Sequence, residues 1–120
     1  MPAIYVLGGY QSDFARNWTK EGRSIGDLIA EVTEGTLKRA GVEPAAVDTI
    51  HVANAFGQLY TGQGHLAAMP ATVAPGLWGK PAMGHEGACA SGSLATICKT
   101  PPGGRLSGTK RKLMSVKYRR

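Results

Sequence analysis

The apolar positions of the chain fall into separate patterns that predict separate elements. Ile4 to Leu7 is a short apolar run closed by Gly8 and Gly9, and it reads as a buried strand leaving through a turn. Ile25, Leu28, Ile29, Val32, Thr36, Leu37 and Ala40 recur at helical spacing and make one apolar face. Ser24 and Asp27 frame its start as a capping box, Gly41 is the expected C′ residue, and Pro44 follows as a stop. The predicted helix therefore runs from Ser24 to Gly41. Val47 to Ala55 reads as a second strand, with Ile50 and Val52 on one side. Strand, helix and strand in this order predict a βαβ unit with a right-handed crossover.

Polar and glycine-rich stretches separate these elements. Tyr10 to Arg23 reads as a loop whose Phe14 and Trp18 cover the first helix. Glu31, Glu34 and Lys38 lie off the apolar face and read as solvated, with Glu34 and Lys38 a supportive pair one turn apart. Asn54 to Gly64 is a loop, and Leu66 to Val73 is a short helix interrupted or kinked at Pro70. Pro75, Gly76, Gly79 and Pro81 make a turn around Leu77 and Trp78, and Ala82 to His85 is a third strand.

The third strand leads into the most informative stretch, PAMGHEGACASGSLA at Pro81 to Ala95. A turn at Gly87 and Ala88 places Cys89 at the start of a helix marked by Ser91, Leu94 and Ala95. Free backbone N–H groups and the positive end of the helix dipole favour thiolate there. Gly87, Ala88, Ala90, Ser91 and Gly92 are small enough to let an acyl group approach the sulfur. From the pattern alone Cys89 is either a reactive thiol or a packed small hydrophobe.

Composition narrows the setting. A chain of 120 residues holds one domain at most. No apolar run reaches the length of a membrane span, and no secretory signal is evident, so a reducing cytoplasm is the expected compartment. Cys89 and Cys98 suggest no disulfide framework. His51, His65 and His85 show no paired metal-ligand spacing with the cysteines, so no metal site is expected. His51 reads as a strand-face residue and His65 as a loop or helix-start residue. His85, four residues before Cys89, is the one histidine weighed as a local base. Glycine-rich phosphate-cradling motifs are absent. The net charge of +6 hides two regimes: residues 1–98 carry six basic and eight acidic side chains, whereas residues 99–120 carry eight basic and none acidic.

GACASGSLA resembles the nucleophilic-cysteine segment of the thiolase superfamily, of the acetyl-CoA acetyltransferase and sterol-carrier-protein types. IYVLGGYQSDFAR at residues 4–16 resembles the first strand and loop of a thiolase. VDTIHVANAFGQLYTGQGHLAAMPA at residues 47–71 resembles the second strand and the loop and helix beyond it. The three blocks keep the family's order and spacing, and the resemblance runs from about Ala3 to about Ile97 before stopping. It implies acyl transfer between a cysteine, here Cys89, and coenzyme A. No resident cofactor is implied, coenzyme A thioesters are the substrates, the residues that bind them are unknown, and the intact family forms homo-oligomers. The family's later Gly-His-Pro and Cys-x-Gly segments have no counterpart here, and Cys98 is followed by Lys99 and Thr100, so it is not the second cysteine. The implied fold is α/β, the incomplete N-terminal half of a thiolase-like layered α/β/α fold at residues 1–97, inactive in turnover by itself. An open sheet edge, with poor solubility or a partly molten state, is the physical expectation.

Pro101, Pro102, Gly103 and Gly104 end the Cys89 helix after about two turns, and residues 98–120 read as a disordered basic tail. Two explanations of the tail compete. It is a real basic segment that binds nucleic acid through residues 105–120, which makes a small nucleic-acid-binding protein the alternative function. Otherwise it is an out-of-frame extension, which the coincident loss of apolar periodicity and family resemblance favours.

Overall fold

The protein is described here from a computed structural model, over residues 5–98 and 112–117, the latter by backbone alone. Helix α1 spans Ile25–Ala40, strand β1 Val47–Asn54, helix α2 Gly57–Thr61, strand β2 Ala82–Glu86, helix α3 Ser91–Ile97 and strand β3 Lys112–Lys117. Short 3-10 turns at Pro44–Ala46, Leu66–Thr72, Pro75–Leu77 and Ala88–Ala90 connect them. The result is a mixed α/β fold, as expected for part of a thiolase-like layered fold.

Helix α1 forms where its caps predict. The Ser24 hydroxyl accepts from the Asp27 N–H at 3.2 Å, and the Ser24 N–H donates to the Asp27 carboxylate at 2.7 Å. That backbone bond, with the Ser24 hydroxyl, holds the Asp27 carboxyl below its ordinary pKa. Gly41 closes the helix in the left-handed region at φ 60°, donating to Leu37 and Lys38 carbonyls. Leu28, Ile29, Val32 and Leu37 face inward and join Val47, Ile50, Val52, Leu66 and Leu77 in one core. Trp18 packs on this core beneath the Arg16 guanidinium, 4.1 Å from the ring centre, whereas Phe14 stays exposed. Glu31 is not simply solvated: its carboxylate accepts from Arg16 at 2.9 Å and from the Tyr10 hydroxyl at 2.8 Å, tying the loop to α1. Glycine at position 35 leaves the space that the Tyr10 ring fills.

β1 is the centre of the sheet, whose order is β2-β1-β3 with both pairings parallel. Ile50 opposes Ala82 on one side and Met114 on the other. Val47, Ile50, His51, Val52 and Ala53 are all buried, the near-continuous burial of a strand flanked on both edges and covered on both faces. β2 is mostly exposed, and among the described strands the outer edges of both β2 and β3 have no partner strand.

Three expectations need correction. Ile4 lies outside the described residues, but Tyr5, Val6 and Leu7 form no strand and are 77%, 92% and 57% exposed. The βαβ unit built on them is therefore not formed, and Gly8 instead passes close to Ala40 at the far end of α1. Lys112–Lys117, expected within a disordered tail, is β3 and takes a place beside β1. Leu113, Met114 and Val116 suit a strand, and β1 offers it an edge of unpaired backbone groups. The rest of the tail, including the remaining residues of the nucleic-acid-binding reading, lies outside the described residues. Finally, the loop Asn54 to Gly64 contains α2, and the Asn54 side chain accepts from the Gly57 N–H at 2.9 Å. The short helix expected at Leu66 to Val73 is a 3-10 helix, Leu66–Thr72, and it runs through Pro70 rather than breaking there.

Candidate active site

The carboxyl ends of β1 and β2 lie side by side because the two strands are parallel and in register, Asn54 opposite Glu86. In open α/β sheets this end is where loops converge and ligands bind. An open groove of about 500 Å³ lies there, lined by Phe56, Gln58, Leu59 and Glu86. Phe56 takes a left-handed backbone at φ 57°, and its N–H donates to the Glu86 carboxylate, fastening the loop after β1 to the end of β2.

Beyond Glu86 the chain turns sharply. Gly87 lies outside the regular backbone regions at φ −157° and ψ 45°, Ala88 is left-handed at φ 47°, and Cys89 is the middle residue of the 3-10 turn Ala88–Ala90. The Ala90 N–H donates to the Gly87 carbonyl at 2.9 Å and closes this turn. The Leu94 side chain fills the space beside Gly87, so a larger residue would displace it. Cys89 is exposed and its thiol is free. Exposure removes the packed-hydrophobe environment that an inert cysteine occupies. Cys98, at the end of α3, is also exposed and free.

His85 is not free to serve Cys89 in this arrangement. It is buried, and its Nε2 shares a 2.8 Å hydrogen bond with Nδ1 of His51 on β1. The two rings stack with centroids 5.1 Å apart and planes inclined by 13°. This buried pair escaped the sequence because the signal is cross-strand: each histidine alone reads as a strand-face residue, and only the register of β1 on β2 brings them together. His65 precedes the 3-10 helix at Leu66 with φ 51°, at the helix start as predicted. No group of three or more metal-ligating side chains exists among the described residues. Among those residues, no helix is long and apolar enough to cross a membrane.

A parallel strand, a sharp turn, an exposed cysteine and a short helix make an arrangement able to present a thiol at the ligand-binding end of an α/β sheet. The comparisons with known proteins agree with that class. No family model matches the chain. It is 36% identical over 95 residues to the acetyl-CoA acetyltransferase of Methanocaldococcus jannaschii, covering 79% of this chain and 23% of the relative. It is 37% identical over 95 residues to the acetyl-CoA acetyltransferase of Methanothermobacter thermautotrophicus, covering 79% of this chain and 24% of the relative. The resemblance to the thiolase superfamily holds over most of the chain, which spans about a quarter of the length of these curated relatives.

Proposed function

We propose that the chain carries the cysteine segment of a thiolase-type acetyltransferase, with Cys89 as the acyl-accepting nucleophile. The similarity to two acetyl-CoA acetyltransferases over 95 residues supports this reading most directly. In the proposed half-reaction the Cys89 thiolate attacks the thioester carbonyl of an acyl-CoA. The new bond joins the cysteine sulfur to the acyl carbon, the carbon–sulfur bond to coenzyme A breaks, and coenzyme A leaves as a thiolate that takes up a proton. The small residues around Cys89 leave the approach to its sulfur open. Coenzyme A thioesters are thus substrates, and the assembly is a homo-oligomer in the cytoplasm.

These 120 residues alone perform at most this half-reaction. Condensation or cleavage also needs groups that deprotonate the second thioester and stabilise the oxyanion, and such groups carry much of the rate. His85, the histidine nearest in sequence to Cys89, is already paired with His51. The test is to incubate the purified chain with acetyl-CoA and follow free thiol release together with intact mass. The expected result is one acetyl group per chain, on Cys89, released by hydroxylamine, absent in Cys89→Ser and without sustained turnover. Acetylation spread over lysines, or none on Cys89, overturns the reading of Cys89. Continuous cleavage of acetoacetyl-CoA at an enzymatic rate overturns the claim that the segment has no turnover alone.

A further inference from the structure

The turn before Cys89 is held by a side chain that the acyl-transfer chemistry does not use. Ser91 is the first residue of α3 and is buried at 5% exposure. Its hydroxyl oxygen accepts from the Gly87 N–H at 2.8 Å, and the same hydroxyl donates to the Ala88 carbonyl at 2.8 Å. Between that N–H and that carbonyl lie all the backbone rotations of Gly87 and Ala88. One buried hydroxyl therefore clamps both residues from a single point. The clamp is needed because Ala88 sits at φ 47°, where its Cβ crowds the following carbonyl. An alanine does not stay there unless its surroundings fix it. Cys89 is the next residue, so the direction of its Cα–Cβ bond follows from the backbone of Ala88.

We propose that Ser91 is the positioning residue that locks Ala88 in its left-handed conformation and so keeps the Cys89 thiol presented to reagents and thioesters. This inference rests on the reading of Cys89 as the acyl acceptor, and the test separates the two. Alkylation of the full chain by iodoacetamide is followed by peptide mass spectrometry across a range of pH. Cys98, exposed just beyond the end of α3, serves as the internal reference. Four proteins are compared: the wild type, Ser91→Ala, Ala88→Gly and the double variant.

Loss of the hydroxyl slows Cys89 roughly three- to tenfold relative to Cys98, because a thiol that turns out of its exposed position is less accessible to the reagent. Glycine adopts positive φ without steric cost. Ala88→Gly in the Ser91→Ala background therefore restores most of the lost rate, which a general loss of structure would not allow. An unchanged Cys89 to Cys98 ratio in Ser91→Ala overturns the proposal. So does an equal slowing of both cysteines, or a double variant as slow as Ser91→Ala. If wild-type Cys89 reacts no faster than Cys98, the nucleophile reading fails, while the Cys89 rates of the variants still decide the role of Ser91.

Discussion

Two short apolar stretches, Tyr5–Leu7 and Lys112–Lys117, exchange the roles that their sequences suggest. The first follows an isoleucine, ends in two glycines and reads as a buried strand, yet it lies exposed. The second sits amid lysines and arginines and reads as tail, yet it pairs with β1 over its length. The first is the richer in strand-forming residues, with Tyr5 and Val6 against Val116 alone, so intrinsic preference does not decide between them. What differs is access to the edge of β1. A strand is secured by the partner backbone it meets, and β1 has only one edge left once β2 is in place.

The most damaging way to probe that comparison is to weaken β1 itself. Ile50 is fully buried between its two parallel neighbours. Ile50→Ala should cost about 2–5 kcal/mol in chemical denaturation, the range for a large side chain removed from a packed core. A loss under about 1 kcal/mol would mean that β1 is not the centre of the sheet.

A finer probe asks whether β3 is held by its backbone. Along a parallel strand the N–H groups of successive residues point to opposite sides. Proline at Met114 and proline at Ser115, made separately, should therefore behave unequally. One interrupts the ladder to β1 and costs about 1–3 kcal/mol, whereas the other faces away and costs much less. Equal, negligible effects on urea midpoints would return Lys112–Lys117 to the tail.

The smallest effect is expected at the other member of the comparison. Val6→Asp should change stability by less than about 0.5 kcal/mol, as for a surface substitution, because Val6 is almost wholly exposed. A large loss would show that the Ile4–Leu7 run reaches a packed site, and the exchange of roles would then be wrong.

What the sequence made legible had local causes. Helix α1 was readable because its caps and its apolar face lie within a few residues of each other, and Ser24, Asp27 and Gly41 act as expected. β1, β2 and the turn at Gly87 and Ala88 were readable for the same reason. The features that escaped are those set by partners distant in sequence. The choice between Tyr5–Leu7 and Lys112–Lys117 depends on which reaches β1. The His51–His85 bond depends on the register of β1 against β2. Glu31 looks solvated on the helix alone and gains Arg16 and Tyr10 only through the preceding loop. At the candidate site, small residues near Cys89 announced space, but neither the left-handed Ala88 nor the bridging Ser91 hydroxyl follows from residue size.

The separation of β1's two partners also has a consequence in time. Ile50 meets Ala82 on one side and Met114 on the other, so the second pairing must close a much longer loop. The α1–β1–β2 unit can assemble while β3 is still unattached, with one edge of β1 bare. A bare, apolar parallel edge is a template for any other strand, including the same segment of a neighbouring chain. Chains caught between the two pairings should therefore associate in a concentration-dependent way, and dilution should raise the yield of correctly folded protein.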